Sequence, residues 1–438
     1  MPPTLFFLTP LASLVMTTRR VFLGATGAAL LAPRSNVSGS SAADRVRIAV
    51  LGVNGRGLDL ARLFTKDSGS EVVAICDPDS RVFPKALDAV TKAGGSTPRA
   101  EADLRRLLDT NEIDAVAIAT PDHWHALATI LACQAGKDVY VEKPASHNIV
   151  EGRRMVEAAR RHNRVVQLGT QRRSSAMAQE AINYVHSGKL GKVGMARTWI
   201  HQKRAGIGKV SPADPPAGLD WTLWQGPAPE AAYLANRVHY GWHWFWTYGT
   251  GELGNNGIHC VDVARWGLNV DAPLEITSGG GKFVFDDDQE VPDTQIVTWT
   301  FPGALLQYEH RMWSTHGTEG SGFGIAWYGD RGTLVLNDKG FRVTDGENEI
   351  ARNESSSDDS QARHVANFLE CVRSRKNPVA DIEIGHLSTR LCHLGNIAHR
   401  TGSVVRFDAA SEGIPDHPAA KTLLSREYSA KFPLPNLS

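Results

Sequence analysis

The 438-residue sequence has no net charge, its 47 Lys and Arg being matched by 47 Asp and Glu. Without a basic field nothing gathers phosphate backbones or anionic lipid, so nucleic acid is not an expected partner. Cysteine is scarce. Cys76, Cys133, Cys260, Cys371 and Cys392 are odd in number and show no CxxC spacing, which argues against both a disulfide framework and a zinc cluster and leaves buried thiols. Internal repeats are lacking. Long apolar runs are lacking too, since the stretch from Val21 to Ala32 falls short of the roughly 20 residues a bilayer-spanning helix needs. What remains is a soluble composition, 42% hydrophobic and 21% charged, long enough for two or three domains.

The N-terminus differs from the rest. Thr18-Arg19-Arg20-Val21-Phe22-Leu23-Gly24 places two arginines before the apolar stretch, and small polar residues follow to Ala43. This resembles a twin-arginine export signal, whose pathway accepts folded cargo. Met16 stands where such signals usually start. Residues 1–43 are expected to be signal and spacer, and the mature protein to be periplasmic without a membrane anchor.

From Arg45 the chain reads as alternating strand and helix. Val46 to Leu51 is a β-branched strand ending in the turn Gly52-Val53-Asn54-Gly55-Arg56-Gly57, a helix follows, and Glu71 to Cys76 is the next strand, closing on Asp77. Strand-like runs at Ala115 to Ala119, Asp138 to Val141 and Arg164 to Leu168 each follow a helical stretch. This alternation predicts a doubly wound parallel sheet, an α/β Rossmann domain over residues 44–170. Beyond Gln171 the strand candidates, such as Val193 to Ile200, Gln295 to Phe301, Ala304 to Glu309 and Thr333 to Leu336, mostly follow turns rather than helices. They predict an α+β domain over 171–438 with a large open, mostly antiparallel sheet. Residues 202–257 are rich in Pro, Trp and Gly and are expected to wall a substrate pocket. Ala362 to Arg375 and Leu387 to Thr401 read as helices, the second stopped by Gly402.

A phosphate-binding turn needs glycines because a Cβ would hold the backbone N–H groups away from a pyrophosphate, while the following helix N-terminus supplies partial positive charge. Gly52, Gly55 and Gly57 supply that freedom. Asn54 replaces the usual middle glycine and is tolerated for its ease in left-handed conformations. Asp77, at the next strand end, would accept hydrogen bonds from ribose hydroxyls and repel a 2′-phosphate, favouring NAD over NADP. It could instead cap a turn before Pro78.

Taken with that turn, Thr120-Pro121-Asp122-His123-Trp124-His125, Glu142-Lys143-Pro144 and Gly257-Ile258-His259-Cys260-Val261-Asp262 resemble the glucose-fructose oxidoreductase and inositol dehydrogenase (Gfo/Idh/MocA) family over nearly the whole mature chain. Lys143 follows a strand end, where ligands of open α/β sheets bind, and an ammonium there can stabilise an alkoxide. The other reading is an ordinary ion pair with Glu142. The resemblance implies that Lys143 touches both substrate oxygen and nicotinamide ribose, that Pro144 shapes the turn through a cis bond, and that Thr120, Pro121 and His125 lie by the nicotinamide half. Arg56 and Glu142 complete the expected cofactor set. His259 heads a helix from Ile258 to Leu268 and suits a hydroxyl-proton acceptor, with Asp262 three residues on to orient it; it could equally be a satisfied buried histidine. Relatives carry Asp four residues before this histidine, where Asn255 stands here and cannot carry charge.

His123 and His125 have a spacing that sometimes binds metal, but no carboxylate or thiolate cluster accompanies them, and no metal is expected. His239, Tyr240, Trp242 and Trp244 belong to an aromatic run suited to stacking on sugar faces, or else to a core or an oligomer contact. The reading that follows is an NAD-dependent oxidoreductase acting on a carbohydrate or polyol C–OH, expected as a homo-dimer or homo-tetramer paired through its large sheet. Two alternatives stand beside it: a glycosidase that retains NAD and oxidises its sugar transiently, and a redox-inactive sugar-binding protein.

Overall fold

The computed structural model describes residues 45–354 and 359–436; the expected export segment lies outside them. Strands β1 (Val46–Leu51), β2 (Ser70–Cys76), β3 (Arg99–Glu101), β4 (Ala115–Ile118), β5 (Asp138–Val141) and β6 (Val166–Leu168) form a six-stranded parallel sheet in the order β3-β2-β1-β4-β5-β6. Both faces are covered. Ile48 and Val50 point into one core with Leu60 and Phe64, while Ala49 and Leu51 point into the other with Leu127 and Ile130. Burial on both sides explains why β1 is a continuous apolar run rather than an alternating one. The order reverses between β1 and β4, and a crevice outside the carboxyl ends of the strands follows from that reversal.

The second sheet comprises β7 (Val193–His201), β8 (Glu275–Gly281), β9 (Thr294–Phe301), β10 (Ala304–Arg311), β11 (Phe323–Gly329), β12 (Gly332–Asn337), β13 (Gly340–Asp345), β14 (Asn348–Glu354) and β15 (Val405–Arg406). Its nine strands run in the order β14-β13-β12-β11-β7-β10-β9-β8-β15. Every pairing is antiparallel except β7 with β10. One face is packed and the other open. On β9, Val297, Trp299 and Phe301 are buried beneath the helices Ile258–Leu268 and Ile382–Thr401, while Ile296 on the opposite face is 45% exposed. Ile382–Thr401 begins five residues before the sequence suggests, capped by the Asp381 carboxylate accepting from the Glu383 N–H, and ends at Gly402 in the left-handed region.

Two segments from beyond residue 171 return to the first sheet. Helix Ser360–Ser374 drives Val365, Phe368 and Leu369 into the core that holds Phe64 and Tyr140, and Phe432 packs edge-on to Trp124. All five cysteines are buried free thiols. Among the described residues no helix is long and apolar enough to cross a membrane.

Candidate active site

A cavity of about 390 Å³ opens at the carboxyl edge of the first sheet, lined on one side by Gly52, Asn54, Gly55, Arg56 and Asp77 and on the other by Lys143, Asn255 and His259. The glycine turn has the freedom a dinucleotide requires. Gly52 sits at φ +79°, where a Cβ would stand 2.6 Å from the Ala119 carbonyl oxygen; a Cβ on Gly57 would fall 1.8 Å from the Gly52 oxygen, and one on Gly55 would project into open space. Gly57 thus closes the helix onto the turn, whereas Gly55 keeps the crevice clear. The helix Arg56–Lys66 starts with no side chain capping its first N–H groups, which leaves those before Leu58, itself bonded to the Gly55 oxygen at 2.9 Å, for an anion. Asn54 corrects one expectation: it is not among the residues at positive φ, and Gly52 takes the left-handed conformation instead.

Asp77 reconciles its two readings. Its Oδ2 accepts from the Val53 N–H at 2.9 Å and its Oδ1 from the Asp79 N–H at 3.0 Å, so it does cap the turn. Each carboxylate oxygen nevertheless keeps a second lone pair, and Asp77 lines the cavity. Burial pushes this carboxyl up to about 6, against the two backbone hydrogen bonds. These residues fit an NAD whose pyrophosphate rests on the glycine turn and whose ribose faces Asp77.

At the opposite end, Glu142 does not pair with its neighbour's ammonium. It accepts from Arg56 Nε at 2.7 Å, and Arg56 Nη1 donates to Gln361 Oε1 at 2.6 Å. Burial pushes Glu142 up, but Arg56 and Lys143 together hold it below the usual carboxylate range. That frees Lys143. Its Nζ donates to the backbone oxygen of Asn255 at 2.9 Å and to Asn255 Oδ1 at 3.0 Å, and burial lowers its pKa while Glu142, Asp122 and Glu252 oppose that fall. The Lys143–Pro144 peptide is cis. His125 ties this turn to the β4 end, its Nδ1 lying 2.7 Å from the Pro144 oxygen and its Nε2 2.9 Å from the Thr120 oxygen. Thr120 Oγ1 is buried with no hydrogen-bond partner among the described residues, and Thr120 and Pro121 line the cavity with His125.

His259 lines the cavity from the start of helix Ile258–Leu268, and its Nδ1 also lacks a partner among the described residues. Burial, then the Lys143 ammonium, push the imidazole well below its ordinary range. The shift favours the neutral ring, which keeps one nitrogen as a hydrogen-bond acceptor. Asp262 does not orient it. That carboxylate is claimed by Arg173, through Nε at 2.8 Å and Nη2 at 2.8 Å, and by the Ser388 hydroxyl at 2.6 Å. Three residues along a helix share a face, but Arg173 and Ser388 pack on that face and take the carboxylate first.

The aromatic run divides. His239, Tyr240 and Trp242 line the cavity. Trp244 does not; it is 2% exposed and packs with Val291 and Met312, because the backbone turn at Gly241–Trp244 rotates it away from its neighbours. His239 is itself engaged, its Nε2 lying 2.7 Å from Asp79 Oδ2. His123 Nε2 faces the Trp224 carbonyl at 3.0 Å, and among the described residues no group of His, Cys, Asp or Glu is placed to hold a metal.

Two functional carboxylates were not singled out from the sequence. Glu252, 1% exposed, accepts from Asn255 Nδ2 at 3.2 Å, from Asn256 Nδ2 at 2.8 Å and from Arg204 Nη2 at 3.0 Å. The charge that Asn255 lacks is therefore supplied one turn earlier, through the π-helical turn Leu253–Gly257. Its signal was the carboxylate three residues before Asn255. Asp122 is the other, buried at the head of helix Asp122–Gln134, accepting from Thr250 Oγ1 at 2.7 Å and lining the cavity.

Burial pushes Asp122 from its ordinary 3.8 up to about 7, against the Thr250 hydrogen bond and the Lys143 ammonium. The folded protein therefore binds more protons than the unfolded chain between these values, and stability falls as pH rises through that window. Asp122→Asn is expected to remove this slope, so its Tm relative to wild type rises from pH 4 to pH 7. Parallel Tm–pH curves for the two proteins would contradict it.

Comparison with known proteins is consistent with this geometry. Residues 46–170 match the Gfo/Idh/MocA oxidoreductase family, NAD-binding Rossmann fold, and residues 189–310 and 326–434 match that family's C-terminal alpha/beta domain. A glycosyl hydrolase family 109 protein of Shewanella sp. strain ANA-3 is 34% identical over 120 residues, 26% of each chain. One from Saccharopolyspora erythraea is 32% identical over 169 residues, 37% of this chain and 36% of the relative. The matched stretches thus span only about a quarter to a third of these relatives' lengths. Among solved structures, the WlbA dehydrogenase from Bordetella pertussis, in complex with NADH and UDP-GlcNAcA, superposes with TM-score 0.62 at 20% identity, over 83% of this chain and 99% of that one. The aldose-aldose oxidoreductase from Caulobacter crescentus gives 0.64 at 19%, over 83% and 100%. At these identities the likeness to solved structures is one of fold. With both domains matched and a dinucleotide cradle opposite Lys143 and His259, the chain belongs to the Gfo/Idh/MocA oxidoreductase family and carries its NAD-binding Rossmann fold.

Proposed function

We propose that this protein is an NAD-dependent oxidoreductase that acts on a carbohydrate or polyol C–OH. The observation that carries the reading is the convergence of a buried ammonium, Lys143, and a neutral imidazole, His259, on the cavity that holds the glycine cradle. A bound nicotinamide supplies the hydride acceptor or donor. Lys143, fixed by both oxygens of Asn255, holds the substrate oxygen and stabilises the negative charge that grows there. His259 takes the hydroxyl proton. Glu252 behind Asn255 keeps that amide turned with its oxygen toward Lys143. Tyr240 and Trp242, at the cavity wall, present the mixed polar and aromatic surface that suits a hydroxyl-rich ligand.

The test is a screen of sugars and polyols with NAD, and of keto-sugars with NADH, followed at the NADH absorbance. Turnover with at least one is expected; none across a broad panel counts against the reading. The glycosyl hydrolase family 109 relatives favour a second one, in which retained NAD oxidises the sugar transiently and the aglycone is eliminated. Aglycone release with no net NADH would identify it. The redox-inactive alternative has less support, because the polar partners that position Lys143 are all in place. Export by the twin-arginine route to the periplasm, and pairing through the open sheet face as a dimer or tetramer, belong to the same proposal.

A further inference from the structure

We infer that residues 213–243 form a strap that closes the adenosine end of the cofactor crevice, latched by His239 on Asp79, so that a bound dinucleotide leaves only when the strap lifts. The inference rests on the NAD reading above and assigns His239 to the cofactor rather than the sugar.

The strap is stitched to the end of β2, the strand that delivers Asp77. Asp220 N–H donates to the Pro78 oxygen at 2.9 Å and Ser80 N–H to the Gly218 oxygen at 2.8 Å, with Asp79 and Leu219 paired as an antiparallel bridge. Gly218 makes this approach possible: at φ +94° it carries no Cβ that would meet Ser80 Oγ at 2.9 Å. Beside this seam stands the latch. Asp79 is fully buried and accepts from Arg81 Nε at 2.7 Å, while His239 Nε2 approaches its Oδ2 at 2.7 Å. Asp79 lies two residues past Asp77, so the latch sits at the ribose-facing end of the crevice.

The strap also has a stiff body. Trp221 and Trp224 stack at 4.7 Å, and Tyr233 and Tyr248 meet Trp221 edge-on. Its second anchor is on helix Asp122–Gln134, where Trp124 Nε1 donates to the Trp224 oxygen at 3.0 Å. Between the anchors, Leu223, Trp224 and His239 line one cavity together with Asp77, Asp103 and Leu104. A dinucleotide entering there is roofed by the strap. Its departure requires the seam and the His239–Asp79 contact to open together, whereas removing His239 leaves the ribose-facing end held by the bonds of the seam alone, with the Trp124 anchor at the other end untouched.

The test measures release of NADH from the full-length protein, by fluorescence after mixing the loaded protein with excess NAD+. His239→Ala is expected to release NADH at least ten-fold faster than wild type, and His239→Gln, which keeps a hydrogen-bond donor, to fall between. Ser80→Pro provides a second variant at an exposed residue, deleting the N–H that bonds Gly218 where proline is tolerated at the first position of a helical turn; it too should speed release. Hydrogen exchange at the Ser80 and Asp220 amides should slow on NADH binding in wild type. Wild-type release rates in both His239→Ala and Ser80→Pro overturn the strap, even if sugar binding weakens. A wild-type protein that binds no NADH overturns the cofactor reading itself, a separate result.

Discussion

Lys143→Met is expected to lower kcat by roughly 10²- to 10³-fold while the dinucleotide stays bound, the range seen when one preorganised donor to a developing oxyanion is removed. Methionine keeps the unbranched stem and removes the charge. The ammonium is buried, and its two hydrogen bonds run to Asn255 alone, so no second cation among its bonded partners replaces it. The glycine turn and Asp77, which hold the far end of the cofactor, lie on other strands and do not depend on it. Bound NAD measured by mass spectrometry should therefore be unchanged while turnover falls on whichever substrate the screen identifies. A variant that turns over at the wild-type rate would remove Lys143 from the chemistry and leave it a structural cation.

Asp262→Ala is expected to cost about 3–5 kcal/mol of stability, the magnitude for stranding one partner of a buried ion pair. Arg173 and Asp262 side chains are 7% and 1% exposed, and the same carboxylate accepts from Ser388, whose hydroxyl also receives Arg265 Nε at 3.0 Å. Removing it leaves the Arg173 guanidinium in the interior without a counter-charge, while Arg265 keeps its ion pair with Asp271 at 2.9 Å. The paired change Arg173→Leu with Asp262→Leu removes both charges and should recover part of the loss. Urea unfolding of the three proteins measures this. Were Asp262 instead the orienting partner of His259, its replacement would reduce kcat and shift the pH profile with little change in stability.

How much of this was legible beforehand depended on whether the signal was local. The turn from Gly52 to Gly57, Asp77 at the strand end and Lys143 after β5 were readable because a strand, a glycine turn and a helix follow one another within a short stretch of chain. Helix Ile258–Leu268 was readable for the same reason. Asp262 was misplaced because helical spacing tells which side chains share a face but not what packs against it, and Arg173 lies 89 positions away. Trp244 was misplaced because a short irregular turn breaks the periodicity that would assign its direction. Asn255 suggested a missing charge, whereas Glu252 supplies it through a widened turn that ordinary helical spacing does not reveal. The role of His239 depends on a contact spanning 160 residues, beyond any motif.

The return of helix Ser360–Ser374 to the first sheet has a consequence for how the molecule comes into being. Phe368 fills a seat between Phe64 and Tyr140, at ring distances of 6.1 Å and 5.9 Å, and Arg375 bonds Asp138 on β5. The nucleotide-binding half cannot be completed by its own stretch of polypeptide: until synthesis has passed residue 375, two large aromatic rings lack their cover. A fragment ending near residue 170 would lack that cover, so the first half draws part of its core from a stretch of chain made some two hundred residues later.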